Sequence, residues 1–65
     1  MKKLTEREIA ILKLIMNGYG NSQISKNIFV SIHTVKAHVS AIIRKLEAKN
    51  RAHAVYIALK NDLLK

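Results

Sequence analysis

Only two residues, Val30 and Ser31, separate two segments that each read as a short amphipathic helix, and that spacing constrains the chain more than any other feature. With Val35 set at zero and each residue advancing about 100° around a helix, Val39, Ile42 and Leu46 fall beside it while Lys36, Ala37, Ser40 and Arg44 gather opposite. The stretch Ser31–Leu46 therefore has one apolar face and one polar, basic face. Ser31 stands just ahead of the first periodic position, where its hydroxyl can accept from a free backbone N–H of the first turn, so the helix is expected to start near Ile32. The segment before it, Ser22–Phe29, is about two turns long. Asn21 is its expected cap, and Ile24 and Ile28, four apart, share its inner face. Two short helices joined so tightly must cross at a steep angle, which is the helix-turn-helix geometry.

The rest of the chain supplies two more helices. Thr5 with Glu8 three residues later, just ahead of an apolar run, is a capping box that starts a helix at Glu6. Its apolar residues Ile9, Ile11, Leu12, Leu14, Ile15 and Met16 cover more than half the circumference, which predicts that this helix is the centre of the core, and Gly18 is the expected left-handed residue that ends it. Tyr19 and Gly20 form a brief turn. Beyond Leu46, Glu47–Lys49 make a polar break and Asn50 caps a last helix from about Arg51 to Lys60. Val55, Ala58 and Leu59 are its expected core stripe, with Ala54 and Ile57 widening it, and Tyr56, Ile57 and Leu59 are candidates for meeting a second subunit. The tail Asn61–Lys65 is expected to fray. Residues 1–65 thus read as one all-α, compact four-helix domain, with helices over about 6–17, 22–29, 32–46 and 51–60.

Composition agrees with that reading and narrows the function. There is no proline and no cysteine, and the only glycines are Gly18 and Gly20, so helix breakers are few, and disulfides and thiolate metal sites are excluded. The formal charge of +8 on 65 residues points to a polyanionic partner, nucleic acid ahead of a membrane surface. Met1-Lys2-Lys3-Leu4 looks superficially like the basic start of a signal peptide, but Glu6, Arg7 and Glu8 interrupt the apolar stretch that should follow, and no run approaches a membrane span. A cytoplasmic protein is expected. His33 and His38 are five apart and do not share a helical face, and His53 lies in another helix, so no metal site is expected. Glu6, Glu8, Glu47 and Asp62 form no acid–base constellation; neither enzyme activity nor a cofactor is expected.

In a helix-turn-helix the second helix enters the DNA major groove and the first lies across the backbone. Lys36, Ala37 and Ser40 project from the exposed face at i, i+1 and i+4. Lys36 can donate to guanine O6 or N7, Ala37 can touch a thymine methyl, and Ser40 can donate or accept. Candidate phosphate contacts flank them: Ser31 and Thr34 at the helix N-terminus, His38, Arg44 and Lys45 further along, and Asn21 with Ser22 at the start of the supporting helix.

Taken in order, Leu4-Thr5-x-Arg7-Glu8, Gly18, Asn21, Ile24-Ser25, Val30-Ser31, Thr34-Val35-Lys36-x-His38, Lys45-Leu46 and Arg51-x-x-Ala54-Val55 resemble the LuxR-type (GerE or FixJ type) DNA-binding domain, from about Leu4 to Leu59 without a gap. The resemblance implies a bacterial transcription regulator binding double-stranded DNA, its third helix in the major groove and its fourth mediating a homodimer. In most members the domain is the C-terminal output of a longer protein with a receiver or ligand-sensing domain; this chain carries neither and is read as a stand-alone regulator or an excised domain. It departs from the family's usual pattern at Ala10 (usually Glu), Gln23 (usually Glu or similar), Ser25 (usually Ala) and Glu47-Ala48 (usually Gly or Asn, then Val). Two alternatives accompany this reading: a promoter-recognition module like the fourth region of bacterial sigma factors, attached to RNA polymerase, and a helical module whose basic face meets an acidic protein. A membrane-surface peptide ranks behind both, because tightly linked, well-capped helices are built to fold in water.

Overall fold

The computed structural model describes residues 3–64, which form four helices and no strand: α1 (Glu6–Met16), α2 (Asn21–Ile28), α3 (Ile32–Lys45) and α4 (Arg51–Lys60). Met1, Lys2 and Lys65 lie outside the described residues. Three of the four starts are those the sequence predicts. The Thr5 hydroxyl accepts from the Glu8 N–H at 3.1 Å while Glu8 Oε1 accepts from the Thr5 N–H at 2.8 Å, Ser31 accepts from the Thr34 N–H at 3.1 Å, and Asn50 accepts from the His53 N–H at 2.8 Å. The start of α2 differs. Gly20 is the cap residue and Asn21 is already helical, because the Asn21 side chain is drawn away by Arg51 of α4 at 2.8 Å.

All four helices stop in the same way. Gly18, Phe29, Glu47 and Asp62 adopt positive φ of 88°, 58°, 53° and 58°, and the next residue's N–H reaches back to a carbonyl five positions earlier: Tyr19 to Leu14, Val30 to Ser25, Ala48 to Ile43 and Leu63 to Ala58. Tyr19, Val30, Ala48 and Leu63 then pack against the core, so each stop is also an apolar contact. Only the first uses glycine. Glu47 takes the left-handed position at which the family resemblance leads one to expect Gly or Asn. The tail, expected to fray, is instead turned inward as far as Leu64, since Leu63 and Leu64 lie against the core.

The core is Leu4, Ile11, Leu12, Ile24, Val35, Val39, Ile42, Leu46, Ala54 and Ala58. Its hub is α3, which packs against each of the other three helices, rather than α1 as the width of the α1 apolar face suggests. Only Ile11 and Leu12 of the α1 apolar residues are fully buried, while Met16 is 44 % exposed: a domain this small has too few helices to surround one of them. The α4 stripe is likewise shifted. Ala54 and Ala58 face inward, letting α4 approach closely, whereas Leu59 is 52 % exposed and Val55 only half-buried.

One buried carboxylate joins two of these elements. Glu8 Oε1 receives both the Thr5 N–H and, at 2.8 Å, the Lys45 ammonium from the end of α3. Burial by itself pushes the Glu8 carboxyl up, but the Lys45 hydrogen bond, the Thr5 backbone and the Lys45 charge outweigh it and hold the group below its ordinary value of 4.5. A depressed folded-state pKa contributes stability that is present above the unfolded pKa and is lost as pH falls through the folded one. Lys45→Met is therefore expected to cost about 2 kcal/mol in urea unfolding at neutral pH, because it strands a buried carboxylate. The same variant should lose stability less steeply than the parent on acidification. Two backbone substitutions test the helix stops by thermal melting. Gly18→Ala meets no neighbouring atom but must adopt φ 88°, and is expected to cost about 1 kcal/mol. Phe29→Gly releases the same strain from a side chain that is 93 % exposed and is expected to stabilise by a few tenths to about 1 kcal/mol.

Candidate nucleic-acid interface

The inward face of α3 leaves its other face free. Val35, Val39, Ile42 and Leu46 are buried, and Lys36, Ala37, Ser40 and Arg44 are exposed on the opposite side. Phe29, Val30 and Ser31 make the connection from α2, so the N-terminus of α3 follows a tight corner in the chain. His38 is half-buried at the border between the two faces.

Ser31 and Thr34 form a small donor site at that corner. The Ser31 hydroxyl oxygen accepts the Thr34 N–H, and the two hydroxyl oxygens lie 3.0 Å apart. Whichever hydroxyl donates to the other, one proton of the pair remains for an outside acceptor. It is offered where the first N–H groups of α3 and their partial positive charge also point.

The start of α2 is open in a different way. No side chain caps its first N–H groups; the Gly20 N–H instead donates to Gln23 Oε1 at 2.8 Å. Ser22 is exposed. Asn21 is half-buried with its Oδ1 held by Arg51, which leaves its Nδ2 as the available group. Of the cations the sequence assigns to phosphate, Arg44 is exposed and Lys45 is the ion-pair partner of Glu8, so Lys45 belongs to the frame of the fold rather than to the free surface charge. A helical wheel carries the signal for this: Lys45 falls about 80° from Val35, on the flank shared with His38 and away from Lys36 and Ser40.

Two features of the surface lie beyond the residues that motif and periodicity single out. From Ile9 to Leu46 there is no Asp or Glu, so the whole helix-turn-helix is free of carboxylate while carrying Lys26, Lys36 and Arg44 exposed. On α4, Ala52, Tyr56 and Leu59 are all exposed and spaced i, i+4, i+7, one stripe opposite Ala54 and Ala58. Ala52 had no sequence signal beyond that spacing. Ile57 departs from this stripe: it is half-buried and packed against the core. Among the described residues no group of His, Asp or Glu is placed to hold a metal ion, and no helix is long and apolar enough to cross a membrane.

This architecture recurs in known proteins. The response regulator ChrA of a heme-sensing two-component system, solved by crystallography, superposes with a TM-score of 0.91 at 36 % identity over 97 % of this chain and 31 % of its own. The oxygen regulatory protein NreC of Staphylococcus haemolyticus is 48 % identical over 63 residues, 97 % of this chain and 29 % of NreC, and that of Staphylococcus carnosus is 48 % identical over 61 residues, 94 % of this chain and 28 % of NreC. The chain thus spans under a third of the length of these relatives. The family of bacterial regulatory proteins of the luxR type, GerE, matches residues 2–58, a span that holds α1 to α3 and nearly all of α4. With that match laid over a carboxylate-free helix-turn-helix, the chain belongs to the luxR family of bacterial regulatory proteins as a DNA-binding domain of transcription regulation.

Proposed function

We propose that this domain reads a specific double-stranded DNA sequence with α3 lying in the major groove, and that it does so as a homodimer paired through α4. The observation that carries the reading is the division of α3 into a locked inner face and an exposed face bearing Lys36, Ala37 and Ser40 with no carboxylate nearby in the sequence. Lys36 donates to guanine, Ala37 meets a thymine methyl and Ser40 donates or accepts at a base edge. Ser31, Thr34, His38, Arg44, Ser22 and Asn21 grip phosphates around it. Lys45 is left out of that set, being engaged by Glu8.

For pairing, Tyr56 and Leu59 are 57 % and 52 % exposed, and with Ala52 they form the apolar stripe through which two copies would meet about a two-fold axis. Ile57, half-buried and packed against the core, lies to one side of that stripe. The domain works in the bacterial cytoplasm, where RNA polymerase is a further partner of a regulator bound beside a promoter.

Selection of bound duplexes from a random pool at physiological salt tests the reading directly. Two related half-sites among the survivors are expected; no enrichment at all would overturn sequence reading and leave a charge-driven binder. On the selected site Lys36→Ala is expected to cost about 1 to 3 kcal/mol and to relax sequence choice, while His38→Ala weakens specific and random duplex alike. Equal losses on both duplexes for Lys36→Ala would remove it from base reading. The log of the affinity should fall linearly with the log of salt concentration, less steeply for Arg44→Ala than for the parent.

A further inference from the structure

Arg51 opens α4, yet its guanidinium serves another part of the molecule. Nη1 donates to Asn21 Oδ1 at 2.8 Å and Nη2 donates to the Tyr19 carbonyl at 3.2 Å. One side chain thereby ties the start of α4 to the α1–α2 turn and to the first residue of α2. The electrostatics of this placement are unfavourable on their own. Helix N-termini carry partial positive charge, neither α2 nor α4 has an acidic residue in its first turn, and Arg51 brings a full positive charge to both. Such an assembly becomes favourable when an anion joins it.

We infer that Arg51 is a positioning residue for DNA binding, holding the Asn21 carboxamide so that Nδ2 is presented to a backbone phosphate at the start of α2. The inference rests on the DNA-reading function proposed above. A carboxamide held through its oxygen has both N–H donors on the opposite edge. Asn21 is followed by exposed Ser22, at a helix start whose N–H groups no side chain caps. Without the guanidinium, Asn21 is free to turn its oxygen back onto those N–H groups and cap the helix, the role its position suggests from sequence alone, which would block the site it otherwise serves. Because Arg51 heads the helix that carries Ala52, Tyr56 and Leu59, the phosphate grip and the pairing surface share one rigid element.

The test is a double-mutant cycle on the 65-residue chain: parent, Asn21→Ala, Arg51→Ala and the double variant, each titrated onto a fluorescein-labelled random-sequence duplex at fixed low salt and each melted thermally. Both single variants are expected to bind about fivefold more weakly, the loss of one hydrogen bond to phosphate, and the double variant no more weakly than the worse single. Arg51→Lys, which keeps the charge but cannot hold Asn21 Oδ1 and the Tyr19 carbonyl in one planar fork, is expected to match Asn21→Ala and serves if Arg51→Ala does not fold. Duplex affinity unchanged in Asn21→Ala and Arg51→Lys would overturn the inference, whatever happens to the melts. Losses that multiply in the double variant would also overturn it, because Arg51 would then act on DNA independently of Asn21. Failure of the parent chain to bind duplex would remove the DNA reading itself and this inference with it.

Discussion

Burial of Val35, Val39, Ile42 and Leu46 along one side of α3 ties the whole domain to a single helix. Each such side chain removed from water is worth about 1.5 to 3 kcal/mol, a large share of what a chain of 65 residues can gather. The same helix offers Lys36, Ala37 and Ser40 to the outside. The two faces cannot be adjusted separately. A shift of one residue in the core register would rotate α3 by about 100° and carry Lys36 toward the apolar side, so the packing that holds the fold also sets which side chains are displayed on the outer face.

Around that hub the chain turns corners with little length to spare. Four left-handed residues end the four helices, and the side chain that follows each is pulled into the core. Phe29, Glu47 and Asp62 do so with a side chain where glycine would be unstrained, and the apolar contacts of Val30, Ala48 and Leu63 offset that strain. At Phe29 the result is directly useful: α2 ends and Ser31 caps α3 within three residues, which keeps the two helices at a fixed crossing.

Two cations hold the arrangement from opposite ends. Lys45 fastens the C-terminal end of α3 to Glu8 in the first turn of α1, and Arg51 fastens the start of α4 to the start of α2. Each joins helices that are far apart in the chain by a hydrogen bond, but only Lys45 has its charge countered by a carboxylate; Arg51 meets neutral oxygens. The free charge that remains on the helix-turn-helix, at Lys26, Lys36 and Arg44, is not countered by any carboxylate between Ile9 and Leu46. Local charge therefore favours a polyanion on this side of the molecule.

Much of this was legible in the residues themselves. Capping chemistry is local, so Thr5 with Glu8, Ser31 and Asn50 announced three helix starts, Gly18 announced a stop, and the period of Val35, Val39, Ile42 and Leu46 separated the two faces of α3. The ordered motifs from Leu4 to Leu59 added the family, which the match over residues 2–58 bears out. What the residues could not announce depends on partners far along the chain. Asn21 reads as a cap until Arg51, 30 residues later, takes its oxygen; Lys45 reads as a surface cation until Glu8, 37 residues earlier, takes its ammonium. The wide apolar face of α1 likewise reads as a centre until three other helices crowd onto α3. Helix formation and termination follow from near neighbours in sequence, whereas which side chains are spent on the fold and which are left on the surface is decided only when distant segments meet.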